Sequence, residues 1–294
     1  MEKKYFKLFL LFFALSFLSA CSEEDDPDTV LTDLGGETWT KGPLDNWLLE
    51  NFVTPYNIEV KYRFDRYELA LDKTLVPPQE DKIIPALETI KKTWIAPYEQ
   101  VAGPNFIKRL SPKQFVLVGS PEYNTDGTIT LGTAEGGRKI VLYQINSFDK
   151  ANKAQLKLTL RIIHHEFGHI LHQTIQYPPE FKSITPIYTA NWFDYPLADA
   201  RSRGFITEYA RNIPDDDFVE MIAIMMIEGR TNFDAIINNI KMPDPSDPTK
   251  TISNTRAQAA LRQKEQIIVR YFKEAWNIDF YTLQTSAQTA INSL

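Results

Sequence analysis

All four histidines of this 294-residue chain lie between positions 164 and 172, in the run His164-His165-Glu166-Phe167-Gly168-His169-Ile170-Leu171-His172. The run sits inside a longer apolar pattern. Leu156, Leu160, Ile163, Phe167 and Leu171 recur at helical spacing, which predicts a helix from about Ala154 to Gln173. On that helix His165 and His169 share one face about a turn apart, close enough to grip one zinc ion at roughly 2.0–2.1 Å from each nitrogen. Glu166 then projects beside the ion rather than onto it. There it is placed to take a proton from an attacking water and pass it to a leaving amine. This is the H-E-x-x-H pattern. His164 points off the metal face, as a surface or packing residue. His172 shares a face with His169 and reads as its outer support or as a structural residue.

A catalytic zinc site takes three protein ligands and leaves a fourth position open. No histidine remains elsewhere, so the third ligand must be a carboxylate, in gluzincin-like fashion. The longer pattern H-E-x-x-H-x-x-G-x-x-H fails, because His172 occupies the glycine place and Ile175 the third histidine place. Glu220 is the only charged residue between Phe218 and Ile227 in a strongly apolar helical stretch, and a buried carboxylate requires a cation or several donors. Asp216 lies one turn earlier on the same face. Both are candidates for the third ligand.

Residues 1–20 read as a secretory signal: Lys3, Lys4 and Lys7 make a basic start, an apolar run follows from Phe6 to Leu18, and small residues close it. The run is short for a membrane-spanning helix, and no other stretch approaches the roughly 20 apolar residues that crossing needs. Leu18-Ser19-Ala20-Cys21 resembles the lipobox of bacterial lipoproteins, which implies a lipid anchor at Cys21. Ser22 to Asp28 is acidic and lacks aromatics, so residues 21–39 read as a solvated tether. An acidic run directly after such a cysteine resembles the export signal of surface lipoproteins in Bacteroidetes-type bacteria, so an outer-membrane, cell-surface location is expected ahead of a periplasmic one.

From Thr40 to Leu294 the composition is globular, and one catalytic domain is expected. Thirty-two basic residues against 38 acidic ones give a formal charge of −6, which excludes nucleic acid as the natural partner. The single cysteine excludes an internal disulfide framework and a thiolate metal cluster. Alternation at Ile58, Val60, Tyr62 and Phe64 predicts a strand, and Phe115–Val118, Thr128–Leu131 and Lys139–Tyr143 predict three more. Ile83, Leu87, Ile90 and Trp94 predict a backing helix from Lys82 that ends before Pro97. Everything after Pro214 reads as helix, with Gly229 as a stop. The fold class is therefore α+β, strands first and helices last. Lys139–Tyr143 is the expected sheet edge, to which an extended peptide substrate can add by main-chain hydrogen bonds. The long connection from Tyr177 to Arg203, rich in aromatics, either lines the cleft or packs beneath it.

His165-Glu166-Phe167-Gly168-His169, followed by Gly204-Phe205, Tyr209-Ala210 and Asp215-Asp216-Asp217-Phe218-Val219-Glu220-Met221, resembles the zinc metallopeptidase lipoproteins associated with outer-membrane nutrient import in Bacteroidetes. More distantly it is similar to anthrax lethal factor and the proline-proline endopeptidases. The resemblance implies a zincin-like fold, a mixed sheet with a backing helix, one zinc ion and peptide-bond hydrolysis. In those relatives a glutamate opening a segment E-x-F-A-E binds zinc, and a tyrosine seven residues earlier faces the active site. The corresponding places here are Asp216 and Tyr209, with Glu220 at the closing glutamate. Asp216 is one methylene shorter than the family's ligand. A nutrient importer of the outer membrane is the implied partner. Two other functions fit the same residues: nutrient capture without catalysis, and zinc-dependent hydrolysis of a non-peptide amide or ester.

Overall fold

The computed structural model describes residues 39–65, 67–69, 72–124, 129–130, 132–135 and 138–294. The expected signal peptide, Cys21 and all but the last residue of the tether lie outside the described residues. Lys41–Leu294 pack as one unit, and no helix of the described residues is long and apolar enough to cross a membrane.

Four short strands make the main sheet, β1 (Glu59–Lys61), β2 (Gln114–Leu117), β5 (Gly132–Glu135) and β6 (Lys139–Leu142), in the order β1-β2-β6-β5. Two-residue strands β3 (Glu122–Tyr123) and β4 (Ile129–Thr130) pair separately. β1, β2 and β6 run parallel, with Val60 opposite Phe115 and Phe115 opposite Ile140. Parallel strands bury both faces, which is why Phe115–Val118 and Ile140–Tyr143 are continuous apolar runs. Phe115, Leu117, Ile140 and Leu142 face the main core, while Val116, Val118, Val141 and Tyr143 form a second cluster covered by Leu69 and Leu75.

β6 is not the sheet edge that the sequence suggested. It lies between β2 and β5, and the antiparallel β5 is the outer strand. Gly132-Thr133-Ala134-Glu135 carries no apolar alternation to announce it, whereas the apolar run of β6 is the mark of an interior strand. The first strand is also shorter than its alternation suggested. Tyr62 is buried, its hydroxyl donating to Asp45 at 2.9 Å, but Phe64 is exposed.

Helix α1 (Glu80–Ile90) does not stop before Pro97. A wider turn at Lys91–Ile95 carries it into α2 (Ala96–Ala102). There the Ala96 N–H donates to the Lys91 carbonyl five residues back, and this slip in register lets the chain pass a residue with no N–H. Trp94 and Tyr98 on this helical path set their rings edge-on against Phe167, 5.4 and 5.0 Å between centroids. Phe167 is on the back of α3 (Lys153–Thr174), the histidine-bearing helix, whose first turn is capped by Asn152 accepting from Gln155 N–H at 3.1 Å. His164 is a packing residue, buried beside the Tyr98 ring at 6.0 Å, and burial pushes its imidazole down to about 3, so it stays neutral.

The last third is mostly helical: α4 (Pro214–Asn238), α5 (Thr255–Trp276) and α6 (Phe280–Asn292). Gly229, at φ +69°, breaks α4 where the sequence placed a stop. A hairpin of β7 (Lys241–Asp244) and β8 (Asp247–Ser253) corrects the all-helical reading of this region. Two prolines, Pro243 and Pro245, and the Asp244 carboxylate accepting from Ser246 N–H at 2.8 Å turn the chain there instead.

Candidate metal centre

The pairings Asp216 with His169, Glu220 with His165 and Glu228 with Lys157 step up one helix as they step down the other, so α3 and α4 run antiparallel. Their approach is set by Gly168 in the middle of the histidine run. A Cβ there would lie 2.9 Å from Val219 Cγ1 and 3.0 Å from Val219 Cβ. In an exposed helix Gly→Ala gains about 1 kcal/mol; here the overlap with a β-branched side chain reverses the sign. Gly168→Ala is expected to cost about 1–3 kcal/mol of stability and to weaken zinc binding, and Val219→Ala in the same chain to restore both. Denaturant titration and a zinc competition assay check this; a stabilised Gly168→Ala would mean the helices do not depend on that contact.

At this closest approach three donor atoms converge. His165 Nε2 and His169 Nε2 are 3.2 Å apart, and Asp216 Oδ1 lies 3.4 Å from the second and 4.0 Å from the first. Ligands of a tetrahedral ion bound at about 2.0–2.1 Å sit about 3.3–3.4 Å from one another. Two imidazoles and a carboxylate also match zinc's preferred donors. Among the described residues, His165, His169 and Asp216 are a group able to hold a metal. The donor set fits zinc.

Glu220 is not in that triangle. Being one turn further along α4, it reaches the other side of the His165 ring, where its Oε1 is 2.8 Å from Nδ1. The carboxylate is held by Thr207, donating at 2.5 Å, and by the Arg161 guanidinium. Burial alone would raise its carboxyl, but the Arg161 charge and the bond to His165 more than offset that and hold it down at about 2. An acceptor fixed at Nδ1 keeps the proton there and leaves Nε2 a free lone pair. His172 does the same for His169: its Nε2 is 2.9 Å from His169 Nδ1. Burial, and then the His169 charge, push His172 down, so it remains a neutral acceptor.

Three consecutive aspartates open α4 behind Pro214, and a helix turns about 100° per residue, so each goes a separate way. Asp215 accepts from the Tyr177 hydroxyl at 2.5 Å. Asp216 faces the histidines, its second oxygen accepting from Asn212 at 2.6 Å. Asp217 turns inward to the buried Lys264 ammonium at 2.6 Å. Tyr209 lies on the short turn Tyr209–Arg211 just before α4, its ring 5.5 Å from that of His165. Burial first, and the charges of Asp216, Glu166 and Glu220 after it, raise its phenol to about 12, so it stays a proton donor. Glu166 is half-buried one residue round the helix. Burial raises its carboxyl, against the pull of His165 and His169.

Residues 37–281 match the family described as "Putative zinc-binding metallo-peptidase". The chain belongs to this family. The crystal structure of a protein described in the same words, from Bacteroides caccae, superposes with a TM-score of 0.67 at 32% sequence identity, covering 85% of this chain and 92% of that one. No curated protein matches the chain. Membership of the family agrees with a zinc-binding peptidase in general and with the metal that the donor triangle fits.

Sequence reasoning missed Arg161, Thr207, Asn212 and the spacing role of Gly168. Arg161 alone left a signal: it lies four residues before His165, on the face that must meet Glu220.

Proposed function

We propose that the chain is a zinc-dependent peptidase in which His165, His169 and Asp216 hold the metal, Glu166 is the general base and Tyr209 the oxyanion donor. The observation that carries this reading is the convergence of the three donor atoms, two of their separations (3.2 and 3.4 Å) at tetrahedral spacing and the third wider at 4.0 Å, with Glu166 next to them in sequence. Zinc held there lowers the pKa of water to about 7 and polarises the substrate carbonyl. Glu166 accepts the proton of the attacking water and later delivers it to the departing amine nitrogen. The position of Glu166, next to the metal-binding histidines on α3, suits a group that must both take and return a proton. The Tyr209 hydroxyl donates to the carbonyl oxygen as charge gathers on it. Glu220 and His172 aim the two imidazoles and fix their tautomers.

The leader, Cys21 and the acidic residues behind it support a lipid-anchored protein on the outer membrane, facing outward, and the resemblance to import-associated lipoproteins supports work beside a nutrient importer.

The test is digestion of an unstructured peptide library by the zinc-loaded full chain, read by mass spectrometry, with chelated protein as control. Discrete cleavage products that disappear with chelator are expected; an intact library with zinc-loaded protein would overturn the peptidase reading. The ligand assignment has its own test. Asp216→Ala is expected to abolish stoichiometric zinc, whereas Glu220→Gln keeps it with affinity lower by about 10–100-fold. Elemental analysis of both variants decides, and loss of zinc from Glu220→Gln alone would exchange the two roles.

A further inference from the structure

Beyond the catalytic groups, the metal site continues into a row of aromatic rings. From His165 the ring of Tyr209 is 5.5 Å away, from Tyr209 that of Trp192 is 5.0 Å and edge-on, and from Trp192 that of Phe193 is 5.7 Å. The first ring is half-buried, the second half-buried, and Phe193 is 66% exposed. The turn Trp192–Asp194 that presents the outer two is anchored on both sides. Thr189 N–H donates to the Arg211 carbonyl at 2.8 Å, and the Arg211 guanidinium is clamped between the Tyr195 ring, 4.0 Å from its centroid, and Asp199, 2.7 Å away. Arg211 directly follows Tyr209 and Ala210, so the clamp ties the aromatic turn to the segment that carries the oxyanion donor. Trp192 and Phe193 leave ring surface in water next to Tyr209 and the histidines, and covering such surface with an apolar group is favourable.

We infer that Trp192, with Phe193 beyond it, is the wall of a specificity subsite that takes an aromatic or large aliphatic side chain of the peptide substrate. This inference rests on the peptidase reading and names the substrate class for it. An extended chain advances about 3.3 Å per residue, so a peptide whose cleaved bond lies at the histidines brings a side chain to Trp192 within about three residues of that bond. The occupant is a side chain of the substrate rather than a partner protein, because the row is continuous with the metal site through Tyr209. The edge-on geometry that Trp192 makes with both Tyr209 and Phe193 is one an incoming aromatic ring would extend.

The test uses zinc-loaded full chain and peptides that differ only in having Phe or Ala at each of the three positions on either side of the cleaved bond. At one position Phe is expected to be preferred by 10-fold or more in kcat/KM, chiefly through KM. Trp192→Ala, at unchanged zinc content, is expected to lower that Phe-to-Ala ratio at least 10-fold, and Trp192→Phe to keep most of it. No preference in the wild-type chain, or a preference that survives Trp192→Ala, overturns the inference while leaving the peptidase reading intact. If nothing is cleaved, the peptidase reading fails, and binding of one library peptide and of its variants with Phe or Ala at each position in turn, followed by fluorescence in wild-type and Trp192→Ala protein, judges the wall alone: equal affinities for Phe and Ala peptides in the wild type overturn it.

Discussion

Glu166→Gln is expected to lower kcat by about 10²–10⁴-fold while zinc content and KM change little. The substitution preserves the shape of a half-buried side chain and removes only its capacity to bind a proton. His165 and His169 are oriented by Glu220 and His172, not by Glu166, so the metal site should survive the change. An interaction made only in the transition state is lost in kcat and kcat/KM together, and this signature separates a base from a substrate-binding carboxylate, whose loss would raise KM. Initial rates on a peptide found in the library screen, alongside elemental analysis, make the measurement. Residual activity within 10-fold of wild type would remove Glu166 from the chemistry. Tyr209→Phe offers the comparison. It should cost about 10²–10³-fold, since a phenol raised to about 12 is protonated throughout the working range.

How much of this was legible in the sequence differs between the two sides of the site. The histidine pair was readable because both residues lie on one helix, where a spacing of four fixes their relation without any tertiary knowledge. Although the family resemblance pointed to Asp216, which carboxylate meets them was not readable from spacing, because Asp216 and Glu220 share a face of α4 and only the lateral offset of the two helices chooses between them. That offset depends on Gly168 seating against Val219, a contact between residues 51 positions apart that leaves no periodicity in either segment. The three aspartates show the same limit: identical side chains in sequence acquire three different fates from their angular positions. In the sheet, the interior strands were visible as apolar runs. The edge strand β5 was missed because an outer strand of small and polar residues has no pattern to announce it.

The second large effect concerns the far side of α4. Lys264 and Asp217 are both fully buried, their charged atoms 2.6 Å apart. Lys264 also donates to the Gly204 carbonyl at 2.8 Å, with the Phe205 ring 4.4 Å from its nitrogen, and Asp217 accepts from Tyr188 at 3.0 Å. Burial drives Asp217 up and Lys264 down, each toward its neutral form, and each partner pulls the other back. Such a pair adds little net stability over apolar residues of the same size, but removing one member strands the other. Lys264→Met is therefore expected to cost about 3–5 kcal/mol, measured by denaturant unfolding of the zinc-free chain. Lys264→Met combined with Asp217→Asn should recover most of that loss, because an amide leaves no buried charge and can still accept from Tyr188. The pair ties α5 to the first turn of α4, one residue from Asp216, so the single variant should also bind zinc more weakly than the double one. A single variant that loses less than about 1 kcal/mol, or a double variant no more stable than the single, would show that the ammonium does not hold this turn.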